Sequence, residues 1–230
     1  KINCIDISDK PRFAWRGLML DVSRHFFTKQ EVKRFIDLMA EYKYNVFHWH
    51  LSDDQGWRVE IKSLPRLTDV GAWRAPRVGN WWEREPQSVT DSLTYGGFYT
   101  QDDIREVVEY ARERFITVVP EIDVPGHSMA LLTAYPEISC TGGPFHVNVG
   151  NTFYTKEENS LCVGKEKTFA ILDMIFDELV DLFPSSYIHI GGDECYKGFW
   201  AKCPDCRARM SSKQLQNVEE LQSYFVKRVA

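Results

Sequence analysis

Four short apolar segments, each followed by a group of charged or hydrogen-bonding side chains, constrain the fold more than any other feature of the chain. They cover residues 18–22, 45–51, 116–123 and 187–190. Between them lie stretches whose apolar residues recur at the spacing of a helix that buries one face. Short strands that alternate with amphipathic helices indicate β/α units around a parallel sheet. We therefore predict an α/β fold.

Four helices are predicted, over about residues 28–42, 100–111, 169–183 and 218–230. The first begins with a capping box, in which Thr28 accepts a hydrogen bond from the Glu31 amide and the Glu31 side chain reaches back. Thr100 and Asp103 have the same spacing ahead of the second helix. The helix starts are therefore specified locally.

The polar groups follow the carboxyl ends of the predicted strands. In a (β/α)8 barrel of the TIM type, that end is where active sites form. A closed barrel needs eight strands, and the pattern supplies four. We therefore predict a TIM-barrel type fold of which this chain holds about the first four β/α units.

Composition excludes two classes of partner. The net charge is −5 and the basic residues are scattered, so nothing favours nucleic acid. No apolar stretch approaches the roughly 20 residues that a membrane span requires.

Aromatic residues make up 13% of the chain, including seven Trp. Trp81 and Trp82 lie in a long Pro-, Gly- and Trp-rich connection, residues 63–99, and we expect them in a binding loop or a partner contact.

Six cysteines leave the redox compartment open. Cys203 and Cys206 have the spacing found in zinc sites, but the sequence shows no second pair at matching spacing. We therefore expect a structural loop there and no metal site. Cys140 and Cys162 flank a Gly-, Pro- and Asn-rich excursion, which a disulfide between them would close.

The residues with chemical potential all lie near strand ends. They are Arg24, His25, Asp53, Asp54, Glu121, Asp123, His127, Asp193 and Glu194. A cleft with carboxylates, imidazoles, an arginine and many Trp suits glycoside hydrolysis, in which an acid protonates a leaving oxygen. Asp193 and Glu194 are adjacent, so repulsion would raise the pKa of one of them. The alternative is that the pair simply begins a helix, where carboxylates are also favoured.

Four motifs together resemble those of family 20 glycoside hydrolases, the β-N-acetylhexosaminidases. They are WRGLMLDVSRHF at 15–26, HLSDDQGWR at 50–58, PEIDVPGH at 120–127 and HIGGDE at 189–194. They occur in the family's order, and the resemblance they carry extends over nearly the whole chain. The resemblance implies hydrolysis of terminal β-linked N-acetylhexosamine (GlcNAc or GalNAc) from glycans or chitooligosaccharides, without a cofactor.

The resemblance also implies a substrate-assisted retaining mechanism, in which the 2-acetamido oxygen attacks the anomeric carbon and an oxazolinium forms. Glu194 would be the general acid and then the base, and Asp193 would bind the acetamido N–H. Arg24 would grip the 3- and 4-hydroxyls. Asp53 and His127 would belong to the substrate-binding site, where they would form the relay that orients Glu194. Supporting hydrogen bonds are expected from His25, His50, Glu121, Asp123 and His189.

Parts of the family pattern are not found in the chain. The later-strand aromatic and acidic residues that complete the sugar pocket do not appear, and residues 1–10 resemble only the connection from a preceding domain. Residues 11–230 would then be a partial catalytic barrel. We expect little or no activity from this stretch alone, and from the family a secreted, periplasmic or cell-surface location in a bacterium.

Two other functions fit some of the same residues. His48 and His50 share one face of a strand and, with His127 and His189, would suit a metal-dependent hydrolase. The chain would otherwise be a sugar-binding module or an inactive fragment. An unpaired sheet edge would favour a homodimer.

Overall fold

Six strands and eight helices form the part of the chain that our computed structural model describes, residues 4–76, 91–150 and 158–230. The strands are β1 (Gly17–Asp21), β2 (Val46–Asp53), β3 (Gly56–Trp57), β4 (Trp73–Arg74), β5 (Tyr95–Gly96) and β6 (Thr117–Ile122). The helices are α1 (Lys29–Glu41), α2 (Arg66–Asp69), α3 (Gln101–Arg112), α4 (Met129–Ala134), α5 (Glu166–Leu182), α6 (Gly198–Lys202), α7 (Pro204–Ser212) and α8 (Val218–Val229). A short 3-10 helix covers Pro136–Ile138.

The sheet is parallel where the sequence predicts β/α units. Strand β2 pairs with β1 on one side and with β6 on the other, both in parallel. Helix α1 connects the first pair, and α3 lies in the connection from β2 to β6. The α/β class is therefore confirmed.

The fourth predicted strand is shorter than expected. Residues 187–190 contribute one parallel bridge, between Glu121 and His189. His189 N–H donates to the Pro120 carbonyl at 2.9 Å, and Ile122 N–H donates to the His189 carbonyl at 3.1 Å. Tyr187, on the outer side of this segment, is 64% exposed. The segment pairs only with β6 among the described residues and is followed directly by the turn at Gly191. It therefore does not extend into a regular strand.

The helix starts agree with the capping signals. Thr28 accepts from the Glu31 amide, and the Glu31 carboxylate accepts from the Thr28 N–H at 2.7 Å. The reciprocal pair is also formed by Thr100 and Asp103 at the start of α3. Helix α8 begins at the predicted position, Val218.

Strand β2 divides the molecule into an apolar side and a polar side. Phe47, Trp49 and Leu51 are fully buried, and the first two rings stack with centroids 5.6 Å apart. Side chains alternate along a strand, so His48 and His50 point to the opposite face. The apolar face carries the hydrophobic core under the helices, and the polar face carries the residues predicted to be functional.

Arg58 is a buried arginine that joins several loops through their backbones. Its Nε donates to the Val22 carbonyl at 3.0 Å, Nη2 to the Ser23 carbonyl at 2.7 Å, and Nη1 to the Ala72 and Gly97 carbonyls at 2.8 and 3.0 Å. Burial lowers the pKa of Arg58 to about 10. Because the carbonyls of residues 22 and 23 immediately precede Arg24, this side chain fixes the loop that carries it.

The cysteines differ from the expectation. No disulfide joins Cys140 to Cys162, since both are free thiols. Their sulfurs lie instead beside those of Cys203 and Cys206. The second cysteine pair therefore exists, but it comes from distant parts of the chain.

Replacing Arg58 tests its structural role. We expect Arg58→Leu to lower the free energy of unfolding by about 3 kcal/mol, because several buried carbonyls lose their donors. Urea unfolding followed by circular dichroism measures this. Arg34→Leu, on the exposed face of α1, is the matched control and should change stability by less than about 0.5 kcal/mol. Equal effects of the two substitutions would contradict the role.

Candidate active site

Most of the predicted functional residues meet at the carboxyl edge of the sheet. Arg24 follows β1, Asp53 ends β2, Glu121 and Asp123 lie at the end of β6, and Glu194 follows the bridge at His189. The parallel pairing brings these ends to one edge. The side chains are therefore close in space although they are distant in sequence.

Glu121 accepts hydrogen bonds from His48 and His50, and it lies beside His189, whose Nδ1 accepts the Gly191 N–H at 3.0 Å. Its Oε2 lies 2.5 Å from His48 Nε2 and 2.6 Å from His50 Nδ1, and its Oε1 lies 2.9 Å from His189 Nδ1. Burial raises the pKa of Glu121, but the hydrogen bonds from His48 and His50 outweigh it and leave the pKa well below its usual range. His48 and His50 share one face, as the metal-site alternative requires, and both are paired to this carboxylate.

Asp53 is the second anion of the site, and its side chain is completely buried. Its Oδ2 lies 2.7 Å from Arg24 Nη1 and 2.7 Å from His50 Nε2, and its Oδ1 lies 3.1 Å from His127 Nδ1. Burial acts to raise the pKa of Asp53, yet hydrogen bonds from His127 and His50 and the charge of Arg24 lower it to about 2. Asp53 is therefore ionised at neutral pH.

His50 bridges the two anions. An imidazole that donates from both ring nitrogens must be protonated. Burial lowers the pKa of His50, but the hydrogen bonds to Asp53 and Glu121 more than offset this and raise it to about 10. His50 is therefore a buried imidazolium between two carboxylates.

His127 connects Asp53 to the adjacent carboxylates. Its Nδ1 faces Asp53, while its Nε2 lies 3.5 Å from Glu194 Oε2 and 3.9 Å from Asp193 Oδ2. This Nε2 is buried and has no hydrogen-bond partner among the described residues. Burial lowers the pKa of His127, but hydrogen bonds to Asp53 and Asp54 raise it to about 12. The nitrogen is thus poised to donate to Glu194 after a small approach.

Two glycines shape the turn that presents Glu194. Gly191 and Gly192 have φ values of +65° and +95°. A Cβ on Gly191 would lie 1.9 Å from Asp123 Oδ1, and that same oxygen accepts the Gly192 N–H at 3.1 Å. Burial and the nearby charge of Asp53 raise the pKa of Asp123 to about 8. Asp123 therefore supports the turn.

Asp193 and Glu194 do not begin a helix. The next helix, α6, starts at Gly198 with Lys197 as its N-cap. Their side chains are 65% and 45% exposed and stand at the open side of the network. Glu194 also borders a cleft of about 660 Å³, together with residues of α8 that include Gln222. The two carboxylates are therefore accessible, whereas Asp53, His50 and His127 are buried.

Arg24 and His25 have different surroundings. Arg24 Nη1 contacts Asp53 and also Asp21 Oδ2 at 2.9 Å, so the guanidinium is fixed while part of it stays exposed. His25 Nδ1 lies 3.3 Å from the Tyr95 hydroxyl, and the two rings meet edge to face. His25 is therefore an exposed side chain that packs against Tyr95.

Two supporting residues, Tyr95 and Gln222, were not singled out from the sequence, and a third, Asp54, was a candidate there without an assigned role. Tyr95 lies in the long connection, residues 63–99, that the sequence predicted to be functional, although Tyr95 itself was not named. Asp54 Oδ1 accepts the Met129 N–H at 3.1 Å, at the start of the helix that follows His127. Gln222 Nε2 donates to the Gly192 carbonyl at 2.8 Å, and no sequence signal marks it. Trp81 and Trp82, which we expected in a binding loop or a partner contact, lie outside the described residues.

No helix among the described residues is both long and apolar enough to cross a membrane.

Comparison with known proteins identifies the family. The model described as "Glycosyl hydrolase family 20, catalytic domain" matches residues 13–230. A β-hexosaminidase of Porphyromonas gingivalis is 45% identical over 97% of this chain, and one of Vibrio furnissii is 47% identical over 97% of it. The crystal structure of an exo-β-N-acetylglucosaminidase of Vibrio harveyi, in complex with N-acetylglucosamine, matches with a TM-score of 0.80 at 41% identity over 96% of this chain.

The match covers nearly all of this chain but only part of each relative. The chain spans 27% of the Porphyromonas gingivalis protein, 36% of the Vibrio furnissii protein and 34% of the Vibrio harveyi chain. The four sequence motifs lie within the matched residues, and the described sheet is of the parallel type that the solved relative implies. The chain belongs to glycosyl hydrolase family 20, a family of glycoside hydrolases with an α/β TIM-barrel type catalytic domain.

Proposed function

We propose that this chain provides the acid-base half of a β-N-acetylhexosaminidase, which removes terminal non-reducing β-linked GlcNAc or GalNAc. The observation that carries the proposal is the line from buried Asp53 through His127 to exposed Glu194, with contacts of 3.1 and 3.5 Å. The names of the relatives and the N-acetylglucosamine bound in the Vibrio harveyi structure support the substrate class. Glycans or chitooligosaccharides carry such residues.

In this proposal Glu194 transfers the proton. Protonated Glu194 donates to the glycosidic oxygen as the bond from that oxygen to the anomeric carbon breaks. The carboxylate that remains is stabilised by protonated His127, whose own charge is balanced by Asp53. Glu194 then takes a proton from the water that opens the intermediate. A fixed donor at His127 therefore serves the step in which Glu194 becomes negative.

The nucleophile in this proposal belongs to the substrate. The 2-acetamido oxygen attacks the anomeric carbon and forms an oxazolinium. Water then opens this intermediate, and the product keeps the anomeric configuration of the substrate. Asp193, which is beside Glu194, accepts the acetamido N–H and stabilises the positive charge that develops there. Arg24 donates to the 3- and 4-hydroxyls through the part of its guanidinium that Asp21 and Asp53 leave exposed.

We also propose that these β/α units form about half of an eight-unit barrel, within residues 11–230, and that residues 1–10 connect to a preceding domain. Leu18 and Met19 on β1 are 39% and 50% exposed, and Tyr187 at the other side of the sheet is 64% exposed. A closed barrel covers such positions with further strands. The rest of the sugar pocket would come from those strands.

The acid-base assignment is tested in the full-length protein that contains this chain. We expect Glu194→Gln to lower kcat/KM for a chitooligosaccharide by about 1,000-fold or more, and less for an aryl glycoside whose leaving group needs no proton. Glu113→Gln, at the exposed end of α3, is the matched control and should leave both rates unchanged. A loss that is equal for both substrates would contradict the role.

The division of the pocket is tested with the isolated 230-residue chain. We expect it to hydrolyse an aryl β-N-acetylglucosaminide at least about 100-fold more slowly than the full-length protein, since most substrate contacts that lower the barrier are missing. Circular dichroism checks that the isolated chain is folded. Turnover close to that of the full-length protein would contradict the division.

The buried imidazolium predicts a pH dependence of stability. Because the pKa of His50 rises from 6.5 to about 10 on folding, its contribution is complete below 6.5 and is lost as the pH rises through 10. We expect the contribution of His50 to the free energy of unfolding to fall by about 2–4 kcal/mol between about pH 6 and about pH 10, in addition to the losses from His127 and Asp123, whose pKa values are also raised. His50→Gln should make the slope less steep by this amount, and His146→Gln, at an exposed position, should keep the full slope. An unchanged slope in His50→Gln would contradict the buried imidazolium.

A further inference from the structure

Four cysteines from three parts of the chain meet at one point, away from the carboxylate network. Cys140 follows the short 3-10 helix, Cys162 precedes α5, and Cys203 and Cys206 lie at the junction of α6 and α7. Their sulfurs all lie within 4.8 Å of one another. Cys162, Cys203 and Cys206 are buried and Cys140 is half-buried. We call these residues the four-cysteine cluster.

The sulfur positions fit a metal better than disulfides. The Sγ atoms of Cys162 lie 3.7 Å from Cys203 and 3.6 Å from Cys206, and those of Cys140 and Cys206 are 3.8 Å apart. Four thiolates placed at about 2.3 Å around one zinc ion have tetrahedral edges of about 3.8 Å. A disulfide bond is only about 2.05 Å long. We infer that the four-cysteine cluster binds one zinc ion, with each thiol giving up its proton as its sulfur bonds the metal.

The backbone near Cys162 and the backbone between Cys203 and Cys206 lie unusually close together. Gly164, two residues after Cys162, packs on the loop from Cys203 to Cys206. A Cβ at Gly164 would lie 2.2 Å from the Asp205 carbonyl carbon and 2.3 Å from the Cys206 nitrogen. Only glycine fits there.

Two basic side chains hydrogen-bond to backbone carbonyls of the segments that carry the cluster. Lys165 Nζ donates to the Glu137 and Ser139 carbonyls at 3.0 and 2.7 Å, next to Cys140. Arg209 Nη2 donates to the Gly164 carbonyl at 3.2 Å. These hydrogen bonds hold in place the segments that carry Cys140 and Cys162.

The cluster restrains the segment that follows Glu194. Trp200 Nε1 donates to the Leu161 carbonyl at 2.8 Å, and Ser160 Oγ donates to the Tyr196 carbonyl at 3.1 Å. The same 158–162 segment also contacts the turn before His127, since Leu161 N–H donates to the Pro125 carbonyl at 2.8 Å. The zinc would therefore have a structural role, linking the loop of His127 to the loop of Glu194. This role rests on the proposed function, whereas zinc binding does not.

Metal content tests the site directly. Zinc is measured by elemental analysis of the full-length protein after purification and after incubation with zinc chloride under reducing conditions. We expect one zinc per chain, and loss of at least about four-fifths of it in Cys162→Ser and in Cys203→Ser. Cys4→Ser, an exposed cysteine outside the cluster, is the matched control and should keep the full amount.

Two further measurements apply even if the cysteine variants fail to fold. Cobalt(II) in place of zinc should give the ligand-field and sulfur-to-metal charge-transfer bands of a tetrahedral tetrathiolate. Removing zinc from the wild-type protein with a chelator should expose four additional reactive thiols and lower the Tm by about 5 °C or more. Adding zinc back should reverse both changes.

The outcomes separate this inference from the proposed function. Glu194→Gln should retain full zinc content, so an inactive enzyme that still binds zinc keeps the metal site and tests catalysis alone. The zinc site is overturned by less than about one-fifth of an equivalent of zinc in the reduced wild-type protein incubated with zinc chloride. It is equally overturned if mass spectrometry shows the four cysteines paired as disulfides in the freshly purified protein.

Discussion

The carboxylate of Asp53 holds together the ends of three parallel strands. Removing such a group from water costs several kcal/mol unless charged donors surround it. Arg24, His50 and His127 supply those donors at 2.7, 2.7 and 3.1 Å, and they come from the loop after β1, from β2 and from the loop after β6. Because one anion serves three cations, displacing any of these elements leaves an unbalanced charge in the interior. The position of Glu194 depends on this arrangement through His127.

The polar face of the sheet is a connected sequence of opposite charges. Glu121 accepts from the imidazole that Asp53 also accepts from, so His50 ties the two anions into one network. Buried networks of this kind are stable only when each member is satisfied. Asp123 completes the balance in another way, because its raised pKa lets it stay protonated where a third anion would repel Asp53. The apolar face, with Trp49 at its centre, supplies the burial that such a polar interior lacks.

The features that could be predicted from the sequence are those set by residues close together in the chain or by the parallel arrangement of the strands. The capping boxes at Thr28 and Thr100 are local, and strand-end residues meet because parallel strands share an edge. The contacts of Arg58 were not predictable, since backbone carbonyls up to 39 residues away carry no sequence signal. The four-cysteine cluster was not predicted for the same reason: Cys140 and Cys206 are 66 residues apart, and no local spacing of cysteines marks such a pair. The role proposed for His127 came from the family resemblance, because the sequence around a lone histidine does not show which residues it contacts.

The turn that carries Glu194 needs restraint from outside itself. Gly191 and Gly192 allow the turn, but glycine also gives the backbone many other conformations, and Glu194 itself has a φ of +41°. The proton transfer that we propose for Glu194 requires its carboxylate to be held to within about 0.5 Å. His127 fixes the side chain from the buried side, and the contact of Trp200 with the 158–162 segment fixes the chain just beyond it. The freedom of a loop grows with the length between its fixed points, so anchors a few residues on either side of Glu194 limit it most.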